Sequence, residues 1–203
     1  TVGFGMTECA PIITYDDSNV EKLYSCGKIA PNMEMKIDSS DPVNVPGEIL
    51  IKGANVFLGY FKNEEATKSV FTKDGWFRTG DMGVVDEDGC LFIKGRSKCM
   101  ILGPSGQNIY PEEVETVINS QPYVVDSLVV EDDGGLTALI YPDFPQGARD
   151  GMNQDAFVKY IESTLPELNK ELPNYAKLKK IEVMSEDFER TPKKSIKRYL
   201  YQR

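Results

Sequence analysis

The stretch GRSKCMILGPSGQNIYPEEVE, residues 95–115, divides the chain into two textures. Before it lie short strands broken by turn residues; after it, helix and strand alternate. Within it, Gly95 with Arg96 and Lys98 suits a hinge, since hinges are a few element-terminal residues that absorb large φ/ψ changes. A plain linker followed by a hairpin and a capped helix accounts for the same residues. The hairpin would run through KCMILGPSGQNIY and turn at Gly103, Pro104, Ser105 and Gly106. Pro111 then stands where a first helical turn tolerates proline, Glu112 and Glu113 follow, and Val114, Val117 and Ile118 repeat at helical spacing. A domain boundary is placed here, giving residues 1–97 and 98–203.

On the N-terminal side, GEILIKG, WFRTGDMGVVD and CLFIKG read as strands, the last two joined through Glu87, Asp88 and Gly89. Asn63, which opens NEEATKSVF, is a good N-cap for one short helix. On the C-terminal side, DSLVVED and LTALIYP flank Gly134 and Gly135 as a second hairpin. Phe157, Tyr160, Ile161, Leu165 and Leu168 form the apolar stripe of one longer helix, and LKKIEVM supplies a strand. YPDFPQGARDG is the linker-like stretch.

The chain has 203 residues, a formal charge of −9 and a pI near 4.7, so no basic surface is available for nucleic acid or anionic lipid. Histidine is absent, which removes Ser-His-Asp and Cys-His catalysis and zinc-hydrolase helices together. Cys9, Cys26, Cys90 and Cys99 form no CxxC pair, which indicates reduced thiols and a cytoplasmic location. No apolar run reaches the roughly 18 residues of a membrane span, and no signal peptide opens the chain. Because Thr1 begins directly on dense motifs, the chain is read as a piece of a longer protein.

Three segments have the residue types for nucleotide chemistry. GFGMTEC, residues 3–9, combines an aromatic to lie on a purine, glycines for close approach, a hydroxyl for phosphate and a carboxylate for Mg²⁺, though a Gly-rich turn would look the same. In WFRTGDMG, Asp81 at the end of a strand can accept both hydroxyls of a ribose, or simply cap its own turn. RTPKKSIKRYLY near the C-terminus is either a solvated basic tail or a route for a lysine into an active site.

Taken in order, GFGMTE, GEILIKGANVFLGY, WFRTGDMG, GRSKCMILGPSGQNIYPEEVE and TPKKSIKRYL resemble successive motifs of the adenylate-forming superfamily of acyl-CoA synthetases, peptide-synthetase adenylation domains and luciferases. They cover the chain almost end to end. The resemblance implies an α+β fold: a partial β-barrel remnant of a large AMP-binding N-terminal domain, then a small α+β C-terminal lid with an antiparallel sheet. It implies ATP, AMP and Mg²⁺ as cofactors and CoA as a substrate. A carboxylic acid would attack the α-phosphate of ATP, and the CoA thiol would then displace AMP. By resemblance Phe4 lies on adenine, Thr7 contacts phosphate, Glu8 binds Mg²⁺, and Asp81 with Arg96 binds the ribose. Lys98 matches the pivot of the lid, and Gly106 the loop glycine that leaves room for pantetheine. GQNIYPEEVE and TPKKSIKRYL are similar to long-chain fatty-acid–CoA ligases, which makes fatty acid the expected partner and leaves open peripheral membrane contact of the parent protein.

The chain departs from the pattern in two places. Where the family carries the lysine that bridges substrate carboxylate and α-phosphate, this sequence has Ser195, with Lys194 as the candidate replacement and Lys197 as a second. The Ser-, Thr- and Gly-rich loop that grips the β and γ phosphates is also absent, so this chain alone is expected to make no acyl-adenylate. Two rival readings stand beside a CoA ligase: an adenylation domain that loads a carrier protein, and a non-catalytic relative that keeps the fold.

Overall fold

In GEILIKG, three consecutive apolar residues between glycines are suited to a strand covered on both faces. Ile49 and Ile51 have no exposed surface and Leu50 is 2% exposed. The computed structural model describes residues 3–16, 22–103 and 106–203, which form two compact units, Thr1–Lys98 and Cys99–Arg203.

The first unit opens with β1 (Gly3–Gly5), β2 (Ile12–Tyr15) and β3 (Lys28–Ile29), a small antiparallel sheet. β4 (Met33–Asp38), β5 (Gly47–Gly53), β6 (Phe77–Val85) and β7 (Leu91–Arg96) form an antiparallel four-stranded sheet in that order, with α1 (Glu64–Ser69) inserted before β6. Asn63 caps α1 as its type predicts, its side chain accepting from Ala66 N–H at 3.0 Å. Gly89, at φ 78°, supplies the left-handed residue of the β6–β7 hairpin. Cys9, Ile13, Ile37, Ile49, Ile51, Phe77 and Leu91 make the core between the two sheets. The described strands form open sheets and close no barrel.

The second unit contains β8 (Ile101–Leu102), β9 (Asn108–Ile109), α2 (Pro111–Asn119), β10 (Val124–Asp132) and β11 (Gly135–Pro142), followed by α3 (Phe144–Arg149), α4 (Gln154–Ser163), α5 (Leu165–Glu171) and β12 (Leu178–Val183). β10 and β11 read as nearly continuous apolar runs because both faces of their sheet are covered. Val129, Ala138 and Ile140 pack with Val114, Ile118, Phe157 and Ile161 from the helices. Leu128, Val130 and Leu139 face Phe188, Ile196 and Tyr201 of the C-terminal segment.

Three expectations are corrected here. β12 runs parallel to β11, so the sheet is mixed: three helices intervene between the two strands, and such a crossover returns the chain in the same direction. The single long helix is two, α4 and α5, because Pro166 cannot continue a ladder and Thr164 ends one helix as it begins the next. The linker-like YPDFPQGARDG contains α3, capped by Asp143, which accepts from Gln146 N–H at 2.9 Å. The hairpin after Cys99 forms as β8 and β9, but Pro104 and Ser105 of its turn lie outside the described residues.

Candidate functional site

Phe4, on β1, is half-buried against the first core, and its N–H donates to the hydroxyl of Thr14 at 3.3 Å. Thr14 is fully buried and donates in turn to the Cys26 carbonyl at 2.6 Å. Residues Thr7–Cys9 then form one 3₁₀ turn, with Thr7 exposed and Glu8 half-buried. A neighbouring loop ties this turn down. Phe57 N–H donates to the Glu8 carbonyl at 2.8 Å, Asn55 Nδ2 to the Cys9 carbonyl at 2.7 Å, and the Tyr60 hydroxyl to Glu8 Oε1 at 3.1 Å. Burial and then the Glu8 bond raise the Tyr60 pKa, which keeps its hydroxyl a donor. Asn55 and Tyr60 were not singled out by sequence reasoning, although both lie in the GEILIKGANVFLGY motif; nothing in their spacing points to Glu8.

Asp81 stands opposite Arg96 in the β6–β7 register, and Arg96 Nε lies 2.9 Å from Asp81 Oδ1. The carboxylate is 9% exposed and the guanidinium 62%, so Asp81 sits within a wall whose outer edge Arg96 forms. Thr79, Gly80 and Asp81 lie inside β6 rather than at its end. Gly80 is left-handed, at φ 74°, and the pairing with β5 shifts there without stopping. The Asp81 N–H donates to the Thr79 hydroxyl at 3.1 Å, and that hydroxyl donates to the Ile49 carbonyl at 2.8 Å. Glu48, paired with Arg78 at 2.6 Å, accepts from Gly80 N–H at 3.2 Å.

Lys98 is exposed in the 3₁₀ turn Ser97–Cys99. Gly106 is exposed and left-handed, at φ 78°, with open space where a Cβ would project. Lys194 is exposed at φ 64°, in a turn closed by Thr191 N–H to the Ser195 carbonyl and by Lys194 N–H to the Thr191 carbonyl, both 2.8 Å. Ser195 is exposed beside it. Lys197 is engaged with Glu189 at 3.0 Å, whereas Lys194 has no ion pair among the described residues. Asp81 and Arg96 are thus in contact, while Lys98, Gly106 and Lys194 stand on separate exposed segments.

No group of three His, Cys, Asp or Glu side chains that could cage a metal occurs among the described residues. A single half-buried carboxylate, Glu8, fits Mg²⁺ nonetheless, because that ion keeps most of its shell from water and substrate phosphates. The nearby Cys9 thiol is pushed up to about 11 by burial and by Glu8, which makes it an inert packing residue.

Residues 1–61 match the AMP-binding enzyme family model and residues 100–203 match the AMP-binding enzyme C-terminal domain. A long-chain-fatty-acid–CoA ligase of Mycobacterium bovis is 30% identical over 97% of this chain and 35% of its own length. A probable 4-coumarate–CoA ligase of Dictyostelium discoideum is 44% identical over 71% of this chain and 26% of its own length. Among solved structures, O-succinylbenzoate coenzyme A synthetase from Bacillus subtilis, in complex with ATP and magnesium ion, superposes with a TM-score of 0.80 at 31% identity, covering 98% of this chain and 40% of that one. The chain therefore spans about a quarter to two-fifths of the length of these relatives. With the family models matched at both ends and in order, the chain belongs to the AMP-binding enzyme family, as the C-terminal portion of an adenylate-forming protein.

Proposed function

We propose that this chain is the C-terminal part of an ATP-dependent acid–thiol ligase that makes fatty acyl-CoA in the cytoplasm. Residues 1–97 would be the tail of the large AMP-binding domain, with a partial barrel, and residues 98–203 the lid. The observation that carries the reading is Asp81, a buried carboxylate fixed at 2.9 Å by an exposed guanidinium. It offers two oxygens at the spacing of a ribose diol. Phe4 would lie on the adenine, Thr7 would contact phosphate, and Glu8, braced by Tyr60, would hold Mg²⁺. The substrate carboxylate oxygen bonds to the α-phosphorus as the bond to pyrophosphate breaks; the CoA sulfur then bonds to the acyl carbon as AMP leaves. Lys194 would place positive charge at the first step, and rotation near Lys98 would bring the Gly106 turn to the second, because the two steps need different groups at one carbon. A long-chain acid is favoured by GQNIYPEEVE and TPKKSIKRYL and by the Mycobacterium bovis relative, which matches along nearly the whole chain.

The test offers the parent protein ATP, CoA and, in parallel, palmitate, 4-coumarate and O-succinylbenzoate, and follows AMP and CoA ester. Palmitoyl-CoA is the expected main product. Preference for an aromatic acid overturns the long-chain assignment, thioester on a carrier protein but not on CoA overturns the CoA assignment, and no AMP with any acid overturns the ligase. This chain by itself should release no pyrophosphate above blank with palmitate and ATP.

A further inference from the structure

The acidic helix start that follows the Gly106 turn is connected to the far end of the chain. Glu115, on α2, is 7% exposed. Its Oε1 accepts from Val129 N–H at 2.7 Å, and its Oε2 is bonded by the guanidinium of Arg198. Glu112, one turn earlier on the same helix, lies 3.7 Å from that guanidinium. Arg198 follows Ser195 by three residues, and Arg190 precedes the same turn. Arg190 pairs with Asp126 at 2.8 Å and Asp187 at 3.0 Å and also donates to the Lys194 carbonyl at 3.2 Å. The basic C-terminal stretch is therefore not a solvated tail. Its arginines are anchored on the second unit on both sides of the Thr191–Ser195 turn, which leaves the exposed Lys194 between two fixed points.

Ion pairs of this kind seldom stabilise a fold more than well-packed apolar side chains would, so stability alone does not explain why α2 buries a carboxylate there. Fixed geometry does. A cation that acts on charge developing at one atom loses most of its effect when it is displaced by about 1 Å. We propose that Glu115 and Arg198 are positioning residues: their pair holds the Thr191–Ser195 turn on α2 so that Lys194 is presented in one place for the adenylation half-reaction. This rests on the ligase reading for the chemistry, but not for the placement of the turn.

Two variants test it. Glu115→Gln keeps an acceptor for Val129 and removes the charge; Glu115→Gln with Arg198→Met also removes the stranded guanidinium, so the double variant should regain the stability the single one loses. In the 203-residue chain, amide exchange at Lys194 and Lys197 should speed up in both variants while the amides of Val129 and Ala138 stay protected. In the parent protein, adenylation should fall about tenfold to a hundredfold in both variants, whereas thioester formation from supplied acyl-adenylate should stay within about twofold. A double variant that recovers adenylation along with stability would reduce the pair to a structural role and overturn the proposal. So would unchanged exchange at Lys194 and Lys197, or half-reactions that fall in parallel. If the wild-type parent makes no acyl-adenylate while exchange responds as expected, the ligase reading fails and the anchoring of the turn is supported.

Discussion

Asp81 shows how far a single residue can be read. Its type and its place after Thr79 and Gly80 suit a diol acceptor or a turn cap, and the resemblance sets it with Arg96 at a ribose; its burial and its 2.9 Å contact with Arg96 become visible only when β6 and β7 are paired. The two contributions separate by magnitude. Arg96 is mostly exposed, so their pair adds about 1 kcal/mol or less to the fold. Hydrogen bonds from ribose hydroxyls to a charged acceptor contribute about 1.5–3 kcal/mol each. Asp81→Asn should therefore weaken AMP binding to the parent protein by about tenfold or more while lowering the melting temperature of this chain only slightly. Calorimetric titration with AMP checks the first and a thermal melt the second; an affinity within about twofold of wild type would remove Asp81 from the nucleotide site. Glu115 was not legible in this way. In the sequence it is one more acid in an acidic helix start, and only packing against β10 and the C-terminal segment makes it a buried partner of Arg198.

At the scale of elements, local signals served where the deciding interaction is local. Asn63 caps α1, Pro111 opens α2, and Gly134 turns β10 into β11, each through its own backbone or side chain. They failed where a distant contact decides. In α3, Pro145 and Gly147 give a linker-like composition, yet Gly147 is needed because the ring of Phe157 lies against it: a Cβ there would come within 2.8 Å of ring carbon Cδ2. Phe157 is 1% exposed and held edge-on by Tyr123 and Phe144, so it has nowhere to go. Gly147→Ala pits a helix-propensity gain of about 1 kcal/mol against an overpacking cost of about 1–3 kcal/mol, and the clash should win. A lowered midpoint in urea is the expected result; an unchanged or raised midpoint would mean that the α3–α4 contact relaxes freely. The direction of β12 was missed for a related reason, since nothing in the residues LKKIEV marks a direction and the strand runs parallel to β11 after three intervening helices.

For the molecule as a whole, the net charge of −9 and the absence of histidine shape the response to pH. Asp187 is held below its ordinary value by Arg190, and Glu182 by Arg203. Asp41 and Asp150 are lowered chiefly by the side-chain amides of Asn44 and Gln146. A carboxyl group whose folded value lies below its unfolded one stabilises the fold above the unfolded value, 3.8 for Asp and 4.5 for Glu, and that stability is lost as pH falls through the folded value. Protonation also relieves the self-repulsion of a −9 chain, but at physiological salt that repulsion is screened beyond about 8 Å, so the short-range pairs should decide. Unfolding free energy should therefore be nearly level between about pH 6 and pH 8, with no histidine to titrate there, and should decline below about pH 4. Urea titrations across that range check the shape, and Asp187→Asn with Glu182→Gln should flatten the acid limb. A double variant that keeps the full acid decline, or a loss between pH 8 and pH 6 as large as that between pH 5 and pH 3, would show that these arginine pairs do not govern the acid stability of the chain.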